Sequence, residues 1–159
     1  MASSTAPRPD PLLRPATLQD VDAVSACVAQ AYAPWVQRIG RKPWPMLQDY
    51  AEVLREAAVT LAEVEGRVAG LLVLCNTSEG LLIENVAVIP AWQGFGIGRA
   101  LLQHAESEAR RLQQGTVYLY TNELMAENIA LYARCGYVEY ERRQEQGFRR
   151  VFMRKALLG

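Results

Sequence analysis

The chain has 159 residues, half of them hydrophobic and about a fifth charged, which is the balance of a globular domain that buries its own core. Seventeen Lys and Arg offset seventeen Asp and Glu, and no basic stripe runs along the sequence. Nucleic-acid binding by broad phosphate neutralisation is thereby excluded. Cys27, Cys75 and Cys135 are dispersed, without metal-ligand spacing or a CxxC pair, and read as reduced thiols of a cytoplasmic protein. A metal site or a Ser-His-Asp triad would have to rest on His104, the single histidine. His104 falls off the apolar stripe of its helix and reads as solvated surface, so no metal is expected.

Residues 1–10 are rich in Ser, Pro and Ala without an apolar h-region, and are expected to be a disordered leader to one domain over 11–159. No apolar run reaches bilayer-spanning length, so neither a membrane partner nor a location outside the cytoplasm is expected. A short strand is expected over 12–16. Thr17 and Asp20 then resemble a capping box ahead of a helix over 18–32, with Val21, Val24, Val28 and Ala31 on one side. Residues 33–45, with three prolines, read as irregular, and 46–57 as a second helix.

Strands over 60–65 and 67–75 flank the turn signal Glu65-Gly66, and a further strand over 81–89 ends at Pro90. A long helix over 96–113 places Ile97, Leu101, Ala105, Ala109 and Leu112 on one face, with Gly115 as its expected C-cap. Residues 117–121 read as a strand buried on both faces. A helix over 125–135 closes at Gly136, and a final hairpin over 137–144 and 148–154 turns at Gln146-Gly147. The order β-α-α-β-β-β-α-β-α-β-β describes a mixed α/β (α+β) domain without repeats.

The most informative segment is the strand that runs through Val86, Ala87 and Val88 into Pro90 and then Gln93-Gly94-Phe95-Gly96-Ile97-Gly98-Arg99. Alternate glycines open a helix whose first N–H groups lack intrahelical partners and whose dipole favours an anion. Neither a G-x-G-x-x-G fingerprint nor a Walker Gly-Lys-Ser/Thr fits. The spacing Gln93-x-x-Gly96-x-Gly98 resembles the acetyl-CoA signature of the GCN5-related N-acetyltransferase (GNAT) superfamily. Downstream, Asn128-Ile-Ala-Leu-Tyr132-Ala-Arg-Cys-Gly136-Tyr137 resembles a second segment of that family, shortened between Asn128 and Leu131.

The resemblance implies a mostly antiparallel sheet of about seven strands flanked by four helices, with acetyl-CoA as cosubstrate. It further implies that Val86, Ala87 and Val88 pair with the pantetheine arm beside a bulge, and that the main chain from Gln93 to Arg99 takes the pyrophosphate. Asn128 would contact the coenzyme arm, and Tyr132 would protonate the departing thiolate. A phenol of pKa about 10 keeps its proton at neutral pH and suits that task. The ordinary alternative for Tyr132 is a core side chain. Arg99 would add a cation or simply face solvent.

An alkylammonium of pKa about 10.4 needs a base or a water relay before it attacks. Glu84, a carboxylate in an apolar strand, is the candidate, and strand alternation puts it on the face of Leu82, Val86 and Val88. Its alternative is a structural ion pair with a neighbouring Arg. The loop between the first two helices, with Tyr32, Trp35 and Trp44, is expected to wall the acceptor pocket, and Asn122 to orient the acceptor or cap the next helix. Three cations in that loop suit an anionic group, while its aromatic faces equally suit a cationic amine. The expected chemistry is direct attack on acetyl-CoA by a primary amine of a small molecule, in a ternary complex. A protein acetyltransferase and a non-catalytic acetyl-CoA sensor are the alternatives, and a homodimer through the final hairpin is implied only by family habit.

Overall fold

The computed structural model describes residues 10–157, so the expected leader lies, apart from Asp10, outside the described residues. Seven strands form one sheet: β1 (Leu12–Pro15), β2 (Ala58–Val64), β3 (Arg67–Thr77), β4 (Gly80–Val88), β5 (Thr116–Asn122), β6 (Val138–Glu145) and β7 (Phe148–Ala156). Their order is β1-β2-β3-β4-β5-β7-β6, antiparallel throughout except for the parallel pair β4–β5. The helices are α1 (Val21–Tyr32), α2 (Trp35–Ile39), α3 (Tyr50–Glu56), α4 (Ile97–Arg111) and α5 (Ala126–Arg134).

Five helices stand where four were expected. The extra one, α2, lies in the loop that read as irregular, and its left-handed Gly40 ends it after five residues. The expected helix over 46–57 begins later, because Pro43 and Pro45 hold residues 44–47 in a 3-10 turn. Asp49 then caps α3, accepting the Ala51 N–H at 3.0 Å. Thr17 and Asp20 do form a capping box, with the Thr17 N–H donating to the Asp20 carboxylate at 2.8 Å.

The sheet divides two apolar layers. On one face α4 packs Ile97, Leu101, Leu102, Ala105 and Ala109 against Leu72, Leu81, Ile83 and Val117. On the other, α1 and α3 pack Val24, Val28, Tyr32 and Tyr50 against Leu61, Leu71 and Val73. Each such aliphatic side chain contributes on the order of 2 kcal/mol when fully buried. His104 is half-buried rather than freely solvated.

Helices α4 and α5 end in the same hydrogen-bonded motif. In α4 the Gln113 N–H reaches Arg110 O at 3.1 Å and the Gln114 N–H reaches Ala109 O at 2.8 Å. Gln113 itself takes the left-handed conformation, φ 61°, so the cap falls there and not at Gly115. In α5 the equivalent residue is Gly136, φ 98°, as expected.

Two irregularities make the site. Val73 pairs with Asn85 and Leu74 with Ile83, so Glu84 has no partner on β3 and forms a bulge in β4. In addition, β4 and β5 pair only over Leu81–Ile83 and Val117–Leu119, and beyond that point they part.

Candidate active site

The parted strands open two connected cavities. The outer groove has a volume of about 460 Å³ and runs from Val86, Ala87 and Val88 to the head of α4. Its wall includes Gln93, Gly94, Gly96, Ile97, Gly98 and Arg99, with Asn128 and Tyr132 from α5 opposite. Gly94 and Gly96 have φ of 86° and 83°, a conformation that L side chains resist. A Cβ at either position would meet nothing within 4 Å, so both glycines face open space.

The first intrahelical bond of α4 runs from the Ala100 N–H to Gly96 O at 3.0 Å. The amides of Ile97, Gly98 and Arg99 therefore have no intrahelical acceptor and carry the positive end of the helix dipole. Gln93 shapes the turn: its N–H bonds to Pro90 O at 3.2 Å, and its side-chain amide donates to Val88 O at 3.2 Å. Phe95 is the one residue of the segment outside the groove; it is exposed and stacks edge-on against Trp92.

The inner cleft is narrower, about 50 Å³, and lies between β4 and β5 on the face covered by α1 and α3. Glu84, Asn122, Tyr32, Trp44 and Tyr132 line it, and Pro43 and Pro45 flank Trp44 in its roof. Tyr32, Val86, Asn128 and Tyr132 border both cavities, so groove and cleft join at these four residues. Trp35, expected on the acceptor side, borders the outer groove, where the Arg38 guanidinium covers its ring at 4.8 Å. Arg38 also pairs with Glu127 at 2.7 Å, tying α2 to α5 across that groove.

Glu84 does not share a face with Val86 and Val88. Ile83 and Val86 pack against the same cluster although three positions apart, because the bulge resets the alternation. Glu84 thereby turns to the opposite face and lines the inner cleft. No Arg pairs with it among the described residues; its partner is the Cys75 thiol, whose Sγ donates to Oε2 at 3.0 Å. Burial and the nearby carboxylate push the Cys75 thiol up to about 12, so it remains a donor.

Tyr132 is 6% exposed and borders both cavities. Burial raises its pKa above the ordinary phenol value, which keeps the proton on the ring oxygen. Asn122 accepts the Leu124 N–H at 2.9 Å, an Asx turn ahead of α5, and still borders the cleft.

Two site residues were missed in the sequence. Asn85, 6% exposed, accepts from the Tyr32 hydroxyl at 2.6 Å and donates to the Tyr50 hydroxyl at 3.3 Å, while Tyr50 donates to Pro45 O at 2.5 Å. These bonds tie α1, α3 and the Trp44 turn to the bulge. An amide inside an apolar strand was the available signal. Arg150, also 6% exposed, enters the cleft from β7, and its signal was a cation alternating with Phe148 and Phe152.

The profile of the acetyltransferase (GNAT) domain matches residues 55–139, and the chain belongs to the GNAT acetyltransferase family. It is 33% identical over 75 residues to streptothricin acetyltransferase of Streptomyces lavendulae. That match covers 46% of this chain and 40% of the relative's length. Among solved structures, PaiA N-acetyltransferase from Thermoplasma acidophilum, in complex with coenzyme A, superposes with a TM-score of 0.76 at 15% identity, over 92% of this chain and 98% of that one. Ribosomal-protein-alanine N-acetyltransferase from Brucella melitensis superposes with a TM-score of 0.71 at 26% identity, over 92% and 99%. No helix of the described residues is long and apolar enough to cross a membrane.

Proposed function

We propose that this chain is an acetyl-CoA-dependent N-acetyltransferase acting on a primary amine of a small molecule. The observation that carries the reading is the junction of a glycine-walled backbone groove with a carboxylate-bearing cleft at Tyr32, Val86, Asn128 and Tyr132. The cradle suits the cosubstrate: open glycines admit an anion, and the amides of Ile97, Gly98 and Arg99 donate to it. The part of β4 that no longer pairs with β5 offers the free edge of Val86, Ala87 and Val88 to an extended arm, as an added strand would use it.

Acetyl-CoA, when bound, supplies the thioester and its thiolate leaving group. Glu84 takes the ammonium proton of the acceptor, directly or through one water, and frees the nitrogen lone pair for attack. Tyr132 holds its proton by burial and delivers it to the sulfur as the carbon–sulfur bond breaks. Asn128 steadies the arm beside it, and the Trp44 turn excludes water from the cleft.

A small acceptor fits the narrow, roofed cleft, and streptothricin acetyltransferase is named for a small-molecule substrate. The Brucella relative, named for a ribosomal protein, supports acetylation of a protein N-terminus as the second reading. Free-thiol release from acetyl-CoA, with small amines and with peptides as acceptors, tests both. Turnover of small amines supports the first reading, and turnover of peptides alone supports the second. Coenzyme binding without turnover of any acceptor leaves a sensor.

A further inference from the structure

We infer that Arg150 determines acceptor specificity by holding an anionic group, so that the favoured acceptors are small amines bearing a carboxylate. This rests on the transferase reading above. Arg150 pairs in register with Asn122, one strand over, and both border the inner cleft. Its side chain is 6% exposed. A guanidinium held beneath a cavity is dear to desolvate, and anchoring a surface hairpin does not require that placement.

The geometry leaves the charge available. Arg150 lies 4.3 Å from the Tyr120 ring centroid and 5.6 Å from that of Trp44, so aromatic groups support its planar face. Nη1 donates to Glu145 Oε2 at 2.9 Å and Nη2 to Gln146 Oε1 at 2.8 Å. A guanidinium has five N–H donors, so these two bonds leave others unused. Glu145 neutralises it only in part, being 36% exposed at its side chain and shared with Arg143 at 3.3 Å.

The cleft also carries the opposite charge. Glu84 lines it from the β4 bulge, and Tyr120 feels both groups: burial raises the phenol's pKa most, the Arg150 guanidinium lowers it and the Glu84 carboxylate raises it. An acceptor with an amine at one end and an anion at the other matches this polarity, with the amine beside Glu84 and the anion beside Arg150. Planar bidentate recognition of a carboxylate is what a guanidinium does best. Glu84 and Trp44 also border a third cavity, of about 520 Å³, whose wall carries Asp49, Glu52 and Glu56 and would draw a second amine instead; diamines therefore serve as the opposing arm of the test.

The experiment measures thiol release for amino carboxylates, their carboxamides and diamines of matched length. The wild-type protein is expected to favour carboxylate over carboxamide in kcat/KM by about 10-fold or more, the scale of hydrogen bonds to a charged group. Arg150→Gln is expected to bring that ratio close to one, chiefly through KM for the carboxylate, and Arg150→Lys to restore part of it. Carboxamides or diamines used as well as carboxylates by the wild type overturn the inference, whatever the variants do. So does an Arg150→Gln protein that slows on both acceptors alike, since that marks a purely structural residue. Thiol release without preference defeats only the acceptor assignment, whereas silence with every amine defeats the transferase reading as well.

Discussion

The outer groove and the inner cleft share four residues yet are built in opposite ways. One wall of the groove is backbone: two left-handed glycines, three amides without intrahelical acceptors and the stretch of β4 that does not pair with β5, within one continuous segment. The cleft is made of side chains from α1, the Trp44 turn, β4, β5, α5 and β7, brought together only by the fold. A backbone site tolerates side-chain variation and fixes one common ligand feature, whereas a side-chain site is free to vary with the acceptor. Coenzyme recognition and acceptor choice should therefore be separable by mutation.

The sharpest break in the comparison is Tyr132→Phe at their junction. Loss of a general acid is expected to lower kcat by about 100-fold or more, with coenzyme affinity nearly unchanged, as steady-state rates and calorimetry will show. The same phenol sets a pH expectation. Burial raises its folded-state pKa, so the acid form persists as pH rises and kcat should not fall below about pH 10 for want of this proton. Asn85→Ala tests the cleft alone. Losing its bonds to Tyr32 and Tyr50 is expected to remove about 2 kcal/mol of stability in urea unfolding and to raise acceptor KM, with coenzyme affinity largely retained.

Gly96→Val tests the groove alone. Forcing a β-branched residue to φ 83° is expected to disfavour the cradle by about 1–2 kcal/mol and to weaken coenzyme binding about 10-fold. The smallest effect is expected well away from both cavities. Gln113→Gly relieves a left-handed residue at the end of α4, and should raise the melting temperature by about 2–4 °C without changing kinetics.

Legibility followed the same division. Gly94, Gly96 and Gly98 announced the open turn that walls the groove, because glycines at fixed spacing before a helix are short-range and visible in a sequence. The hairpin turns at Glu65-Gly66 and Gln146-Gly147 and the order of elements along the chain were legible for the same reason. Glu84 was legible as an oddity, but its face was not, because alternation holds only until a bulge intervenes. The role of Arg150 was hidden, since β7 reaches the cleft only by pairing with β5. Asn85 was hidden because its partners lie 53 and 35 residues away. Trp35 and Trp44 read as one aromatic loop, and α2 with Gly40 sends them to different cavities. The cap of α4 misled because Gln113, not a glycine, takes the left-handed position.

Isothermal titration of coenzyme A, set beside pantetheine, which lacks the diphosphate, tests most directly whether the head of α4 clasps that group. Charge-assisted bonds from the free amides predict that coenzyme A binds at least ~30-fold more tightly than pantetheine, with the gap narrowing in Gly96→Val. Equal affinities for the two ligands, or no heat from coenzyme A at all, would contradict it.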